Sequence, residues 1–157
     1  LQAWVDSGIA DRGVFTICGK INHRYRAALA KLLAHPSIRE IGFSGDVADI
    51  MRDSDVLVLP SFAEGSALVT YEASACGCAL LVSNAAGSYI THDEEGLVHS
   101  AGDTNLLSNQ MRQLNDCRDM LRRLQNNSLR LASSLTWEDA ARTLHQRYEQ
   151  VVTSWPS

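Results

Sequence analysis

The sequence comprises 157 residues, of which 45% are hydrophobic and three are proline, which suits one folded domain with its own core. A net charge of −4, with acidic and basic residues mixed along the chain, argues against a nucleic-acid partner. No apolar run reaches the roughly 20 residues that span a bilayer. No signal peptide is visible either. The four cysteines have the spacing of neither a disulfide framework nor a zinc site, so we expect thiols in a reducing cytoplasm.

Short apolar runs alternate with amphipathic segments through the first two thirds of the chain. Leu1–Trp4 has the character of a helix without a start signal, so we expect a domain that is truncated at this end. Val56–Leu59 is apolar on both faces, as in a central strand of a parallel sheet. Strands are predicted at 14–18, 38–43, 56–59, 79–82 and 96–98, with helices at 22–34, 48–52 and 66–76.

The pattern after Asp103 is purely helical. Asp103 is a plausible N-cap for a helix that reaches about Leu114, a second helix covers roughly 117–133, and a third runs from Thr136 towards Val152. Alternating strands and helices with short turns predict a Rossmann-like α/β fold, in which helices flank an open parallel sheet. We therefore expect residues 1–157 to form a single domain that ends in helices.

The most informative stretch follows the third predicted strand. The strand ends at Pro60-Ser61, a turn containing Gly65 follows, and a helix begins near Ser66. Such a helix start offers backbone N–H groups and a positive dipole end to a phosphate. Glu64 and Glu72 bracket it, on the order of 10 Å apart at 1.5 Å rise per residue. Carboxylates repel phosphate but accept hydrogen bonds from hydroxyl groups, so the combination predicts a site for a nucleotide-sugar.

Each glutamate also has a simpler interpretation. The neighbours of Glu72 three and four residues away are all apolar, so we expect its carboxylate to be at least partly buried, with a partner. That partner is either an internal salt bridge or backbone group, or the hydroxyls of a ribose. Glu64 alone could equally be a solvated turn residue beside a helix N-terminus. The residues themselves leave these alternatives open.

Two further patterns are weaker as site predictions. Asp53-Ser54-Asp55 spells a D-x-D metal motif, but it precedes the third strand and so lies at the edge opposite the expected ligand site. The D-x-D motif is therefore better explained as charges at a helix end and a strand start. His92, His99 and His145 show no metal-ligand spacing with cysteines or acids.

The whole chain resembles the C-terminal domain of retaining glycosyltransferases of family four (glycosyl transferases group 1), which have the two-domain GT-B fold. The family's signature is P-S-x-x-E-G-x-x-L-V-x-x-E-A-x-A-x-G. Weaker matches are Phe43, Gly45 and Val47, and Trp137-Glu138 at the start of the last helix. The signature residues present here are Pro60, Ser61, Glu64, Gly65, Leu68, Val69, Glu72, Ala73, Ala75 and Gly77.

This resemblance assigns roles to the donor site. It implies that Glu64 is catalytic and contacts the donor sugar, that Glu72 binds the ribose, and that Phe43 and Val47 lie near the nucleobase. The diphosphate and sugar would be held by the backbone of Gly65, Ser66, Ala67, Leu68 and Val69. No metal or other cofactor is implied, because the GT-B enzymes of this family use cationic side chains and helix dipoles in place of a metal.

The resemblance also implies partners that this chain does not supply. The family's diphosphate-binding arginine and lysine and its acceptor-binding N-terminal domain precede the segment that matches Leu1–Trp4. We therefore expect this chain alone to bind donor weakly and to transfer no sugar. The complete enzyme would be bacterial, active in glycan or polysaccharide biosynthesis, with peripheral membrane association as a further expectation. The alternative is a Rossmann-like domain that binds a nucleotide or nucleotide-sugar without turnover.

Overall fold

A computed structural model describes residues 1–154 of the chain. Five strands and seven helices follow one another in largely the predicted order, and the predicted boundaries agree to within a few residues. The strands are β1 (Phe15–Cys18), β2 (Ile38–Gly42), β3 (Val56–Leu59), β4 (Ala79–Ser83) and β5 (Gly96–His99). The helices are α1 (Gln2–Asp6), α2 (His23–Leu33), α3 (Val47–Arg52), α4 (Leu68–Ala75), α5 (Thr104–Asp116), α6 (Arg118–Ala132) and α7 (Trp137–Ser154).

All strand pairs are parallel, as the sequence predicts, but the strands form two sheets instead of one. β1 pairs with β2, and a second sheet has the order β3-β4-β5. The expectation that β3 is a central strand is wrong, because within residues 1–154 it pairs only with β4 and all its residues are half-buried. β4 is the central strand, and all five of its residues are buried. An apolar pattern indicates that both faces of a strand are packed, but it does not indicate whether both edges are paired with other strands.

Two hydrophobic cores cover the faces of the three-stranded sheet. On one face, Ala79 and Leu81 pack with residues of α1, α5 and α6, including Leu121 and Leu124. On the other face, Leu80 and Val82 pack with Met51 of α3 and Ala73 of α4. Successive side chains of β4 thus point to opposite cores, as the period of two in a strand requires. The sheet therefore holds α4, whose N-terminus was predicted to bind phosphate, in a fixed position.

The helices at the two ends of the chain differ in how they pack. α1 is docked: Trp4 is buried, its indole N–H donates to Ser37 Oγ over 2.8 Å, and Arg112 Nε of α5 donates to the Ser7 carbonyl over 2.9 Å. α7 has no buried residue. None of the helices within residues 1–154 is long and apolar enough to cross a membrane.

Candidate functional site

The predicted turn between β3 and α4 lies at the carboxyl end of β3, where parallel sheets bind ligands. We call residues 60–67 the β3–α4 loop. The helix begins at Leu68, two residues later than predicted, because the backbone of Ala67 is extended (φ −78°, ψ 92°) and makes it the N-cap. Ser66 therefore belongs to the loop, where its hydroxyl lies 2.9 Å from the hydroxyl of Tyr71.

No side chain among residues 1–154 caps the N-terminus of α4. Thr70 already bonds the Ala67 carbonyl, through its N–H at 2.9 Å and its hydroxyl at 2.7 Å. Within the described residues 1–154, no acceptor takes a hydrogen bond from the N–H groups of residues 65–69. Five consecutive free donors at the positive end of a helix make a surface that suits an anion.

Both glutamates are solvent-exposed and flank this row of donors in sequence. Ser61 Oγ lies 3.4 Å from Glu64 Oε1, at the long end of the hydrogen-bonding range. Neither Glu64 nor Glu72 forms an ion pair with any residue between 1 and 154. The alternative in which internal salt bridges occupy these carboxylates therefore finds no support in the described part of the chain.

The expectation that Glu72 is partly buried is wrong. Its neighbour Leu68 is 55% exposed and Ala75 is also exposed, so this face of α4 points to solvent. The helix instead buries Thr70, Ala73 and Ser74, and the Ser74 hydroxyl accepts a hydrogen bond from Ser128 Oγ of α6 at 2.9 Å. Small and hydroxylated residues let α4 approach its neighbours closely. A hydrophobicity pattern does not predict this kind of buried face, because these residues are not strongly apolar.

The two residues assigned to the nucleobase differ in accessibility. Phe43 follows β2 directly and is 85% exposed, so its ring is available for stacking. Val47 opens α3 and is half-buried against the core that contains Met51. Phe43 is therefore the better placed of the two to contact a ligand.

The D-x-D motif lies at the opposite edge of the sheet, as predicted. Asp53 is the C-cap of α3, and Asp55 precedes β3 and pairs with Arg118 at 3.2 Å. In the part of the chain that the structure describes, no group of three or more His, Cys, Asp or Glu residues could hold a metal ion.

Two surface concavities lie away from the β3–α4 loop. One, of about 580 Å³, is lined by residues of α7 alone, and the other, of about 560 Å³, lies against β5, α5 and α6. A single exposed helix cannot enclose a ligand. Neither cavity is lined by residues of the β3–α4 loop or of α4. We therefore place the candidate site on the open surface formed by this loop and the start of α4, where the free N–H groups lie between Glu64 and Glu72 in sequence.

His99, at the end of β5, is a buried polar residue that sequence reasoning did not single out. Its Nδ1 lies 3.1 Å from Gln110 Oε1, and its Nε2 is buried without a hydrogen-bond partner among residues 1–154. Burial lowers the pKa of His99, and this outweighs the opposing effects of the Gln110 hydrogen bond and the charge of Asp103. The imidazole is therefore held neutral beside the loops at this edge.

Replacing His99 by asparagine should flatten the dependence of stability on pH. In the unfolded chain this histidine takes up a proton below about pH 6.5, whereas the folded protein resists protonation there. The contribution of buried, neutral His99 to the free energy of unfolding is thus fully present above about pH 6.5. It is lost as the pH falls through the lowered pKa of the folded state. Urea unfolding of the reference chain and His99→Asn at several pH values between 7.5 and 5 measures this. If the free energy of unfolding changes with pH equally in both proteins, burial does not lower the pKa of His99 in the folded protein.

Comparison with known proteins supports the resemblance. A family model described as Glycosyl transferases group 1 matches residues 1–116. The chain is 29% identical over 113 residues to a D-inositol 3-phosphate glycosyltransferase of Corynebacterium kroppenstedtii, covering 71% of this chain and 25% of the relative. It spans between 21% and 25% of the length of the curated relatives that it matches.

Solved structures show the same fold. The C-terminal domain of a glycosyl transferase group 1 protein from Francisella tularensis matches with a TM-score of 0.71 at 20% identity, covering 85% of this chain and 77% of that domain. Anabaena HepE, in complex with UDP and glucose, matches with a TM-score of 0.72 at 17% identity, covering 98% of this chain and 44% of that protein. The chain belongs to the group 1 family of glycosyltransferases and has the fold of the C-terminal domain of a GT-B enzyme.

Proposed function

We propose that this chain is the donor-binding domain of a retaining glycosyltransferase and binds a nucleotide-diphosphate sugar at the β3–α4 loop. The observation that carries the proposal is the row of N–H groups at residues 65–69, which have no acceptor within residues 1–154. An exposed carboxylate that forms no ion pair in that part of the chain lies on each side of the row in sequence. In this proposal the N–H groups bind the diphosphate. Glu64 accepts hydrogen bonds from hydroxyls of the sugar, and Glu72 accepts them from the ribose.

The relatives supply the choice of nucleotide. Anabaena HepE, which shares the fold, is in complex with UDP and glucose, and UDP is therefore the first ligand to test. Phe43, exposed directly after β2, is proposed to stack on the base, with Val47 close to it.

The charges of the loop explain why we expect weak binding by this chain alone. Residues 60–72 contain two glutamates and no lysine, arginine or histidine. Within this segment only N–H dipoles can face the diphosphate, and the charge that develops on it during transfer needs cationic groups from outside residues 60–72. We propose that these groups and the acceptor site belong to another part of a larger protein, and that residues 1–157 alone transfer no sugar.

A titration of the 157-residue chain with UDP tests the site directly. We expect a dissociation constant of about 1 mM, which is the range for few contacts without cationic groups. The amide NMR signals of residues 65–69 should shift on titration. Glu72→Ala removes hydrogen bonds to a charged acceptor, worth roughly 1.5 kcal/mol at an exposed position, and should weaken UDP binding about 10-fold.

Glu138→Gln is the matched control. Glu138 is an exposed acid at the start of α7, and its replacement changes the net charge by the same amount. Unchanged UDP binding in Glu138→Gln, with weaker binding in Glu72→Ala, supports a ribose contact. Amide shifts confined to residues outside 60–72 would refute the proposed site.

A further inference from the structure

The loop that follows β4 packs directly against the β3–α4 loop. We call residues 83–87, which comprise the last residue of β4 and the turn after it, the β4 loop. The N–H of Glu64 donates to the carbonyl of Ala85 over 3.0 Å, and the Ser83 hydroxyl donates to the carbonyl of Ser61. Both contacts end on backbone atoms of the β3–α4 loop, so they fix the course of its chain irrespective of its side chains.

Gly87 makes the closest approach between the two loops. Its φ is 61°, and a Cβ at this position would lie 2.4 Å from the carbonyl oxygen of Gly65 and 3.1 Å from that of Glu64. These are backbone atoms, which cannot rotate out of the way as a flexible side chain can. The two loops can therefore have this arrangement only if residue 87 is glycine.

The β4 loop is itself anchored on its other side. The N–H of Asn84 donates to the carbonyl of His99 over 2.8 Å, and Asn84 Oδ1 accepts from the N–H of Ala101 over 3.1 Å. Ala86 is fully buried in the core beneath β4. The loop is thus held by β5 and the core on one side and supports the β3–α4 loop on the other.

We propose that the β4 loop is a template that sets the conformation of the β3–α4 loop, with Gly87 as its positioning residue. Gly87 need not touch a ligand. It allows Glu64 and the N–H groups of residues 65–69 to keep the arrangement that binds one. The part of this inference that concerns ligand affinity rests on the proposed function, whereas the part that concerns loop conformation does not.

Gly87→Ala tests the proposal, with Gly8→Ala as the matched control. Gly8 also has a positive φ, of 71°, but a Cβ there meets no atom within 4 Å. Both variants carry the cost of alanine in a left-handed conformation. Only Gly87→Ala adds the collision with Gly65, so the difference between the two variants isolates that contact.

Three measurements on the 157-residue chain separate the outcomes: urea unfolding, the amide NMR signals of residues 64–69 without ligand, and UDP titration. We expect Gly87→Ala to fold, to shift these amide signals and to bind UDP at least about 10-fold more weakly, since a misplacement on the order of 1 Å has large effects in a binding site. Gly8→Ala should keep both the signals and the affinity of the reference chain. Amide shifts no larger in Gly87→Ala than in Gly8→Ala would overturn the proposal.

Two further cases are covered by the same measurements. If Gly87→Ala does not fold, Ser83→Ala takes its place, because it removes only the hydrogen bond to Ser61. It should shift the same amide signals to a smaller extent, and unchanged signals would overturn the proposal. If the reference chain itself does not bind UDP, the proposed function fails for that nucleotide, while the ligand-free amide signals still decide whether the β4 loop is a template.

Discussion

Replacing Leu124 by alanine is expected to lower the free energy of unfolding by about 2–5 kcal/mol. Leu124 lies on α6, is fully buried, and packs into the core shared by α1, α5, α6 and the sheet. Truncation loses the transfer free energy of the side chain and leaves a cavity in the layer that supports β4. Urea unfolding followed by circular dichroism measures the change.

The same helix provides the control. Leu129 lies five residues further along α6 and is 49% exposed. Leu129→Ala removes the same atoms from a side chain that is half exposed. We therefore expect it to lower the free energy of unfolding by no more than about 1 kcal/mol. Equal losses in the two variants would mean that α6 does not pack on the sheet as described.

Glu64→Gln is expected to weaken the binding of UDP-glucose by about 10- to 100-fold while leaving the binding of UDP almost unchanged. The carboxylate is proposed to accept hydrogen bonds from sugar hydroxyls. Charge-assisted bonds of that kind contribute roughly 1.5–3 kcal/mol. UDP has no transferred sugar and so makes no use of Glu64. Titrating the reference chain and the variant with both ligands gives the ratio of affinities that carries the prediction.

The glutamate pair offers an internal comparison. Glu72→Gln should weaken UDP and UDP-glucose to the same degree, because both ligands contain the ribose. If the two variants instead lower both affinities equally, the separate roles of sugar and ribose contact are wrong. If both variants raise both affinities, the carboxylates act only by repelling the diphosphate.

Most of the fold could be predicted from the sequence because its elements have strong local signals. The apolar run of β4 and the amphipathic α5 and α6 fall where periodicity places them, and Asp103 is the N-cap of α5, accepting from the N–H of Leu106 at 2.8 Å. The division into two sheets could not be predicted in this way. Strand pairing depends on which edges meet, and a hydrophobic pattern describes only the faces.

The candidate site was predicted in part. The position of the β3–α4 loop at the carboxyl edge followed from the strand, the glycine and the helix start. The exposure of Glu72 did not, because α4 buries small polar residues that its apolar pattern hides. The support from Gly87 was also beyond sequence reasoning, since one glycine in a turn does not reveal which distant backbone it approaches. The roles of Glu64 and Glu72 towards a ligand remain predictions.

The candidate anion site of this protein consists of main-chain N–H groups, and this has a consequence for its tolerance to substitution. A change at Ser66 or Ala67 that preserves the local backbone leaves every donor in place. What must be maintained is the path of the chain, and this is set by residues that lie outside the contact surface. Mutations that abolish recognition should therefore be found in the supporting loop as readily as beside the ligand.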